Sequence, residues 1–300
     1  MNLANYKGLK IKKNELKVEE KEIDKALDYL QKSRAKIITV NRPAKKGDRV
    51  EIDFEIRNTE IKIENGTSKN HPLILGEGKF LPGFEEKLER MKSGEEKEFS
   101  LKAPQNWPDK RIADKILDFK VKMNLVQERI LAEINDEFAK SLGNFDSLNG
   151  LKNSIKDGLM QEKELKEKER IRLELIEKIA DDSKIDLPED LINQELENML
   201  NEFKASISVF GLDFERYLKE LNKTTDDLRK EWKKQAEKRI KIGICLKAIA
   251  DKEKIEASDE EVEQRVGVEN IDLNKSKEYT KNIIINEKVF ELLEKGAIII

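Results

Sequence analysis

Apolar positions recur along this chain with two different periods, and the change between them divides it. In residues 16–35, Ile23, Leu27 and Leu30 stand at helical spacing, which predicts one amphipathic helix after a short extended lead. From Asp48 the period drops to two. Val50, Ile52, Phe54 and Ile56 alternate with Glu51, Asp53 and Glu55, as in a strand with one buried face. Further short strands are predicted at 61–64, 73–75, 96–101 and 117–126, punctuated by Asn65-Gly66, Gly76, Gly78, Ser93-Gly94 and a proline-containing loop. A single short helix, 83–91, falls between them.

Beyond about Glu128 the strong signals are helical. Leu151 and Ile155 lead through a charged stretch to Ile171, Leu175 and Ile179. A helix of roughly 30 residues, about 45 Å long, fits that spacing and outgrows a compact core. Leu191, Leu196, Leu200 and Phe203 follow Pro188, a residue tolerated in a first helical turn because the N–H it lacks has no partner there. Ser258 and Glu261 have the spacing of a capping box, which starts another helix. Gly267 to Ser276 is the weakest stretch and reads as a loop.

Composition narrows the chemistry. In 300 residues, 59 Lys+Arg offset 62 Asp+Glu, so the net charge is only −3 although 40% of residues are charged. Interleaved charge of this kind describes helix faces in water rather than a field aimed at nucleic acid or a membrane. The basic stretch 228–241 is the local exception. Leu228, Trp232, Ala236 and Ile240 recur in it every four residues, which marks a buried stripe with a basic back, so no nucleic-acid partner is expected. Cys245 is the sole cysteine and His71 the sole histidine, which leaves no disulfide and no metal-binding or Ser/His/Asp set; neither metal nor cofactor is expected. Cys245 sits among apolar neighbours as a small hydrophobe, and His71 reads as a solvated or hydrogen-bonded loop residue rather than a base. No apolar run approaches the roughly 20 residues of a membrane span, and no secretion signal opens the chain, so a cytoplasmic protein without a membrane partner is expected.

The informative run is Leu75 to Leu88, LGEGKFLPGFEEKL, followed by MKSGEEKEFSL. A strand ends at Gly76, a tight connection leads to Leu81-Pro82-Gly83-Phe84, and a helix opens with Glu85 and Glu86 at its positive end. A Gly-x-Gly pattern alone also occurs in phosphate-binding loops, but the Pro-Gly-Phe and the surrounding strands argue against that use.

These residues resemble the prolyl isomerases of the FK506-binding type and, more closely, the bacterial trigger-factor chaperones. LKAPQNWPDKRIADKILDFKV at 101–121, INDEFAKSLG at 134–143 and IDLPEDLINQELENML at 185–200 extend the resemblance over nearly the whole chain. It implies an α+β multidomain architecture: an FKBP-like antiparallel sheet with one short helix, plus an elongated all-α chaperone domain. The boundaries it implies are a lead-in strand and helix at 1–43, an isomerase domain at 44–128 and a helical chaperone domain at 129–300. The family's ribosome-docking head carries a Gly-Phe-Arg-type signature, whereas the one Gly-Phe here is Gly83-Phe84. The expectation is therefore no ribosome binding unless that head is restored.

By the same resemblance, Phe84 is the floor under a substrate proline and Phe54, Ile63, Trp107 and Phe119 are walls. Phe80 is a further substrate contact, and Leu81 supplies a backbone N–H to a substrate carbonyl. Glu64 falls where relatives hold an acid near the amide. Ile63 stands where relatives have Phe, which is expected to reduce activity. Trp107, between Gln105-Asn106 and Pro108, reads as a site residue on a loop. Met199, Phe203, Phe210 and Phe214 fit a face that holds unfolded chains, and fit a helical core equally. Three functions follow: a chaperone of unfolded or nascent polypeptides that also isomerises X-Pro bonds, a holdase whose isomerase-like domain is inert, or a helical scaffold for one folded partner.

Overall fold

Residues Ile116–Ile130 form one long strand in which Leu117, Phe119, Val121 and Met123 are buried while Asp118, Lys120 and Lys122 face water. The computed structural model that contains it describes residues 2–58, 66–107, 112–269 and 273–300. In chain order the elements are β1 (Lys10–Ile11), α1 (Glu20–Ser33), β2 (Lys36–Thr39), β3 (Arg49–Arg57), β4 (Thr67–Ile74), α2 (Phe84–Leu88), β5 (Glu96–Lys102) and β6 (Ile116–Ile130). Then come α3 (Asp136–Leu142), α4 (Leu148–Asp182), α5 (Glu189–Val209), α6 (Phe214–Glu220), α7 (Thr225–Glu253), α8 (Asp259–Glu269), α9 (Leu273–Gly296) and β7 (Ile298–Ile299). They make two units, one of residues 18–158 and one of residues 1–17 with 159–300.

In the sheet unit β6 pairs antiparallel with β3 along one edge; its other edge is shared by β5, over Ile116–Lys122, and β2, over Gln127–Ile130. β4 adds to the far side of β3 as an edge strand. That edge explains how Pro72 sits inside a strand: it lacks a ladder N–H where, among the described residues, no further strand asks for one. The register slips between Ile52 and Phe54, where Asn70 turns to positive φ and its N–H donates to the Asp53 carboxylate at 2.8 Å. The core contains Val50, Ile52, Leu75, Phe84, Leu88 and Met123. Asp48 is buried beside it. Burial alone would raise its carboxyl, but Arg42 at 2.7 and 3.0 Å and the Lys45 N–H hold it below the usual range.

In the helical unit Ile11, Leu175, Ile176, Ile179, Ile249 and Leu293 form the main core, and β1 pairs parallel with β7. Leu228 and Ala236 on α7 are buried and Trp232 and Ile240 half-buried, as their spacing predicts. The basic back of α7 meets carboxylates: Lys233 reaches Glu189 at 2.6 Å, Lys238 reaches Glu177 at 2.8 Å, and Arg239 lies 3.1 Å from both Glu195 and Glu202. Cys245 is fully buried, and burial pushes its thiol pKa up. Ser258 and Glu261 exchange backbone N–H donors as a capping box does.

Several elements depart from the sequence expectations. β4 begins at Thr67 rather than at residue 73, because the Asn70 bulge restores pairing upstream of Pro72. β2 pairs with the end of β6 although its own side chains are all exposed, so no alternation marks it. The strand expected at 61–64 lies within 59–65, outside the described residues. The stretch 267–276 is helical on both sides of the undescribed residues 270–272. The lead-in 1–43 is divided: residues 1–17 cluster with the helices, and α1 and β2 with the sheet.

Candidate functional site

Glu85 organises the segment that carries the Pro-Gly-Phe motif. Its side chain comes from the first turn of α2 and is only 5% exposed. It accepts hydrogen bonds from the backbone N–H of Gly76 at 2.6 Å, Gly78 at 3.0 Å and Lys79 at 2.9 Å. Gly76 and Gly78 both have positive φ, which lets the loop aim its amides inward at one carboxylate. This clasp fixes the backbone just before Phe80. On the other side, the Phe84 N–H donates to the Leu81 carbonyl at 2.9 Å and starts α2.

With both ends held, the rings assemble. Phe84 has no exposed surface; Phe119 from β6 lies tilted against it at 5.1 Å between centroids, and Phe99 from β5 at 5.6 Å. Phe80 stacks on Phe84 at 4.0 Å. Phe54 from β3 meets Phe80 edge-on at 5.3 Å, and His71 from β4 meets Phe54 at 5.4 Å and Phe80 at 6.0 Å. A continuous aromatic group thus runs from β5 and β6 through α2 to β3 and β4. Such rings provide apolar, weakly hydrated walls with no nucleophile among them.

Four residues expected at the site, Phe54, Phe80, Phe84 and Phe119, are brought together by ring contacts. Trp107 is half-buried at the end of a turn closed by its N–H on the Pro104 carbonyl at 3.1 Å, and it packs against the same core. The Leu81 side chain is buried, and its N–H has no protein acceptor among the described residues. Ile63 and Glu64 lie outside the described residues. A concavity of about 290 Å³ lies over β5 and β6 but is lined by Arg57, Glu98, Ser100, Asp118 and Lys120, which stand at the strand positions that face water, so it belongs to the sheet face opposite the Phe84 rings. Among the described residues no group of three or more His, Cys, Asp and Glu is placed to hold a metal ion, and no helix is long and apolar enough to cross a membrane.

Two contributors were not anticipated. His71 belongs to the aromatic group rather than to a solvated loop, because the register Ile52↔His71 puts its side chain on the face that carries Ile52. Glu85 was expected only as a helix-start carboxylate; Gly-x-Gly ahead of a buried helix-start Glu is the pattern that signals the clasp.

In the helical unit, packing takes two of the four candidate client-holding residues, Met199 and Phe214, out of reach. Met199 is buried with Ile192, Leu196 and Ala236, and Phe214 with Leu200, Ile207 and Leu228. Phe203 is half-buried among Phe214, Tyr217 and Trp232, with centroids 6.0, 5.9 and 5.4 Å away. Phe210 is 79% exposed, beside Val209 at 82% and Leu212 at 52%. The correction follows from helix geometry: Met199 lies on the face of α5 turned to α7, whereas Phe210 follows the last turn of α5.

Comparison with known proteins agrees with this architecture. Residues 40–124 match the family model for FKBP-type peptidyl-prolyl cis-trans isomerases, and residues 147–295 that for the bacterial trigger factor C-terminus. Trigger factor of Caldicellulosiruptor saccharolyticus is 34% identical over 310 residues, covering 99% of this chain and 71% of the relative. That of Carboxydothermus hydrogenoformans is 37% identical over 268 residues, covering 89% of this chain and 63% of the relative. A solved structure of the trigger factor chaperone matches with a TM-score of 0.53 at 25% identity, covering 95% of this chain and 70% of that one.

Proposed function

Starting from the fact that this chain belongs to the trigger factor family, chaperones that include an FKBP-type prolyl isomerase domain, we propose that the rings around Phe84 are its isomerase site. The isomerase module is residues 44–128, within the unit 18–158, and the helical body that holds clients lies in 129–300, with residues 1–17 clustering with its part from 159 onward. The partners are unfolded or nascent polypeptides, and the compartment is the cytoplasm.

Rotation about an X–Pro bond needs no covalent step. The obstacle is amide resonance, a barrier of about 18–20 kcal/mol, which makes uncatalysed exchange take tens to hundreds of seconds. A twisted amide is less dipolar than a planar one, so an apolar pocket favours it over the ground state. Phe84 is the floor, Phe54, His71, Trp107 and Phe119 are the walls, and the Leu81 N–H binds a substrate carbonyl. The observation that carries this reading is the ring group itself, assembled from four strands and one helix around a phenylalanine whose flanking loop is clasped by Glu85.

The test follows cis/trans exchange of a tetrapeptide with Leu before Pro. The full chain should accelerate it, and Phe84→Ala should abolish most of the acceleration while suppression of aggregation of a denatured test protein persists. Full activity in Phe84→Ala would remove Phe84 from the site.

A further inference from the structure

The seat assigned to a substrate proline is already filled. Phe80 and Phe84 lie nearly parallel, 22° between planes and 4.0 Å between centroids, which is face-to-face contact. Phe99 and Phe119 are tilted against Phe84 at 55° and 58°, and Phe84 keeps no exposed surface. A pyrrolidine ring therefore has no face of Phe84 to rest on in this arrangement. The occupant is an apolar ring, as the saturated ring of a proline also is.

Phe80 is the ring stacked face-on upon Phe84, and unlike Phe84 and Phe119 it is only partly buried; it meets Phe54 and His71 edge-on. Its backbone cannot carry it away, because Glu85 holds the Lys79 N–H and the Leu81 carbonyl accepts from Phe84. Motion is confined to the side-chain torsions, which are fast compared with peptide isomerisation.

We propose that the Phe80 ring occupies the proline seat on Phe84 in the free protein, and that a prolyl peptide binds by displacing it. This rests on Phe84 being the floor of the site. Phe80 is then a specificity-determining residue that works against binding. Apparent affinity falls by the fraction of molecules in which the seat is open, so the gate appears in KM and spares kcat. Substrates whose residue before proline can take over the contacts of the displaced ring with Phe54 and His71 recover part of the loss, which favours bulky apolar residues there.

The experiment uses the full chain and succinyl-Ala-Leu-Pro-Phe-p-nitroanilide as the probe. Phe80→Leu and Phe80→Ala should raise kcat/KM by about threefold to tenfold, the range expected when one stacked aromatic pair is lost, mainly through a lower KM. The Leu variant keeps an apolar side chain and guards against misfolding of the Ala variant. Independently of any variant, the ring protons of Phe80 in wild type, observed by NMR with labelled phenylalanine, should move downfield as the peptide saturates and Phe80 leaves the face of Phe84. A fall or no change in kcat/KM in both variants overturns the proposal, as do Phe80 signals that stay in place at saturation. Phe84→Ala, assayed in parallel, separates the two levels: loss of activity there keeps the site reading and leaves the gate to stand or fall alone, whereas retained activity removes the site itself.

Discussion

The carboxylate of Glu85 receives the backbone N–H of Gly76 at 2.6 Å, nine residues earlier in the chain and on the far side of the Phe80 loop. With Gly78 and Lys79 donating to the same group, one side chain from α2 sets the path by which the chain approaches Phe84. The site therefore depends on a buried polar clasp as much as on its rings, and a buried carboxylate of this kind is costly to disturb.

Replacing Glu85 tests that dependence. In Glu85→Gln one amide oxygen remains as acceptor, but the NH2 group faces backbone donors and leaves N–H groups unsatisfied at about 1–3 kcal/mol each. The expected outcome is faster hydrogen exchange at Gly76, Gly78 and Lys79, a lower unfolding midpoint and a several-fold loss of isomerase activity. Unchanged protection of those three amides would show that the clasp is dispensable.

Gly83 precedes α2 with φ of 88°, and a Cβ there would stand 3.2 Å from Leu101 Cδ2. Gly83→Ala should cost about 1–2 kcal/mol for the left-handed backbone alone, and Gly83→Asn less, because a short polar side chain tolerates that region. Denaturant unfolding of the two variants checks the order. Equal stability of Ala and Gly would mean that the turn can relax into another conformation.

The apolar cluster at the C-terminal end of α5 separates client holding from packing. Val209→Ser, Phe210→Ser and Leu212→Ser together should reduce suppression of aggregation and leave the melting temperature within a few degrees. Met199→Ala should instead destabilise the helical unit by about 2–5 kcal/mol, as deletions in a packed core do. If the triple variant holds a denatured test protein as well as wild type does, clients bind elsewhere.

Glu167 supplies a pH dependence. Arg170 first, then the Asn14 N–H and side chain, hold its carboxyl near a pKa of about 2 against the ordinary 4.5, while burial opposes the shift. Between those values the unfolded chain takes up a proton that the folded chain does not. The stability from this group is thus complete above pH 4.5 and is lost as pH falls toward 2. Denaturant midpoints of the helical unit in wild type should drop over that window more steeply than in Glu167→Gln; parallel curves would contradict the assignment.

Much of the architecture is legible without coordinates because it is local. Alternation at 50–56 and 117–126 marks strands that prove to be neighbours, and the four-residue stripe from Leu228 to Ile240 marks the buried side of α7. What escaped was carried by partners distant in sequence. β2 shows no alternation and exists because β6 offers it an edge. His71 looked like a loop residue because the bulge at Asn70, which sets its register, depends on Asp53 across the sheet.

The sequence by itself determined the elements, the Pro-Gly-Phe turn into α2 and the set of aromatic side chains available to a site, since spacing and turn chemistry act within a few residues. Only the tertiary structure decided which rings meet, that Phe80 covers Phe84, and that Phe210 faces water while Met199 and Phe214 do not. Those outcomes turn on contacts between segments brought together by packing. A residue's type fixes what it can bury, and its neighbours in space fix what it does bury.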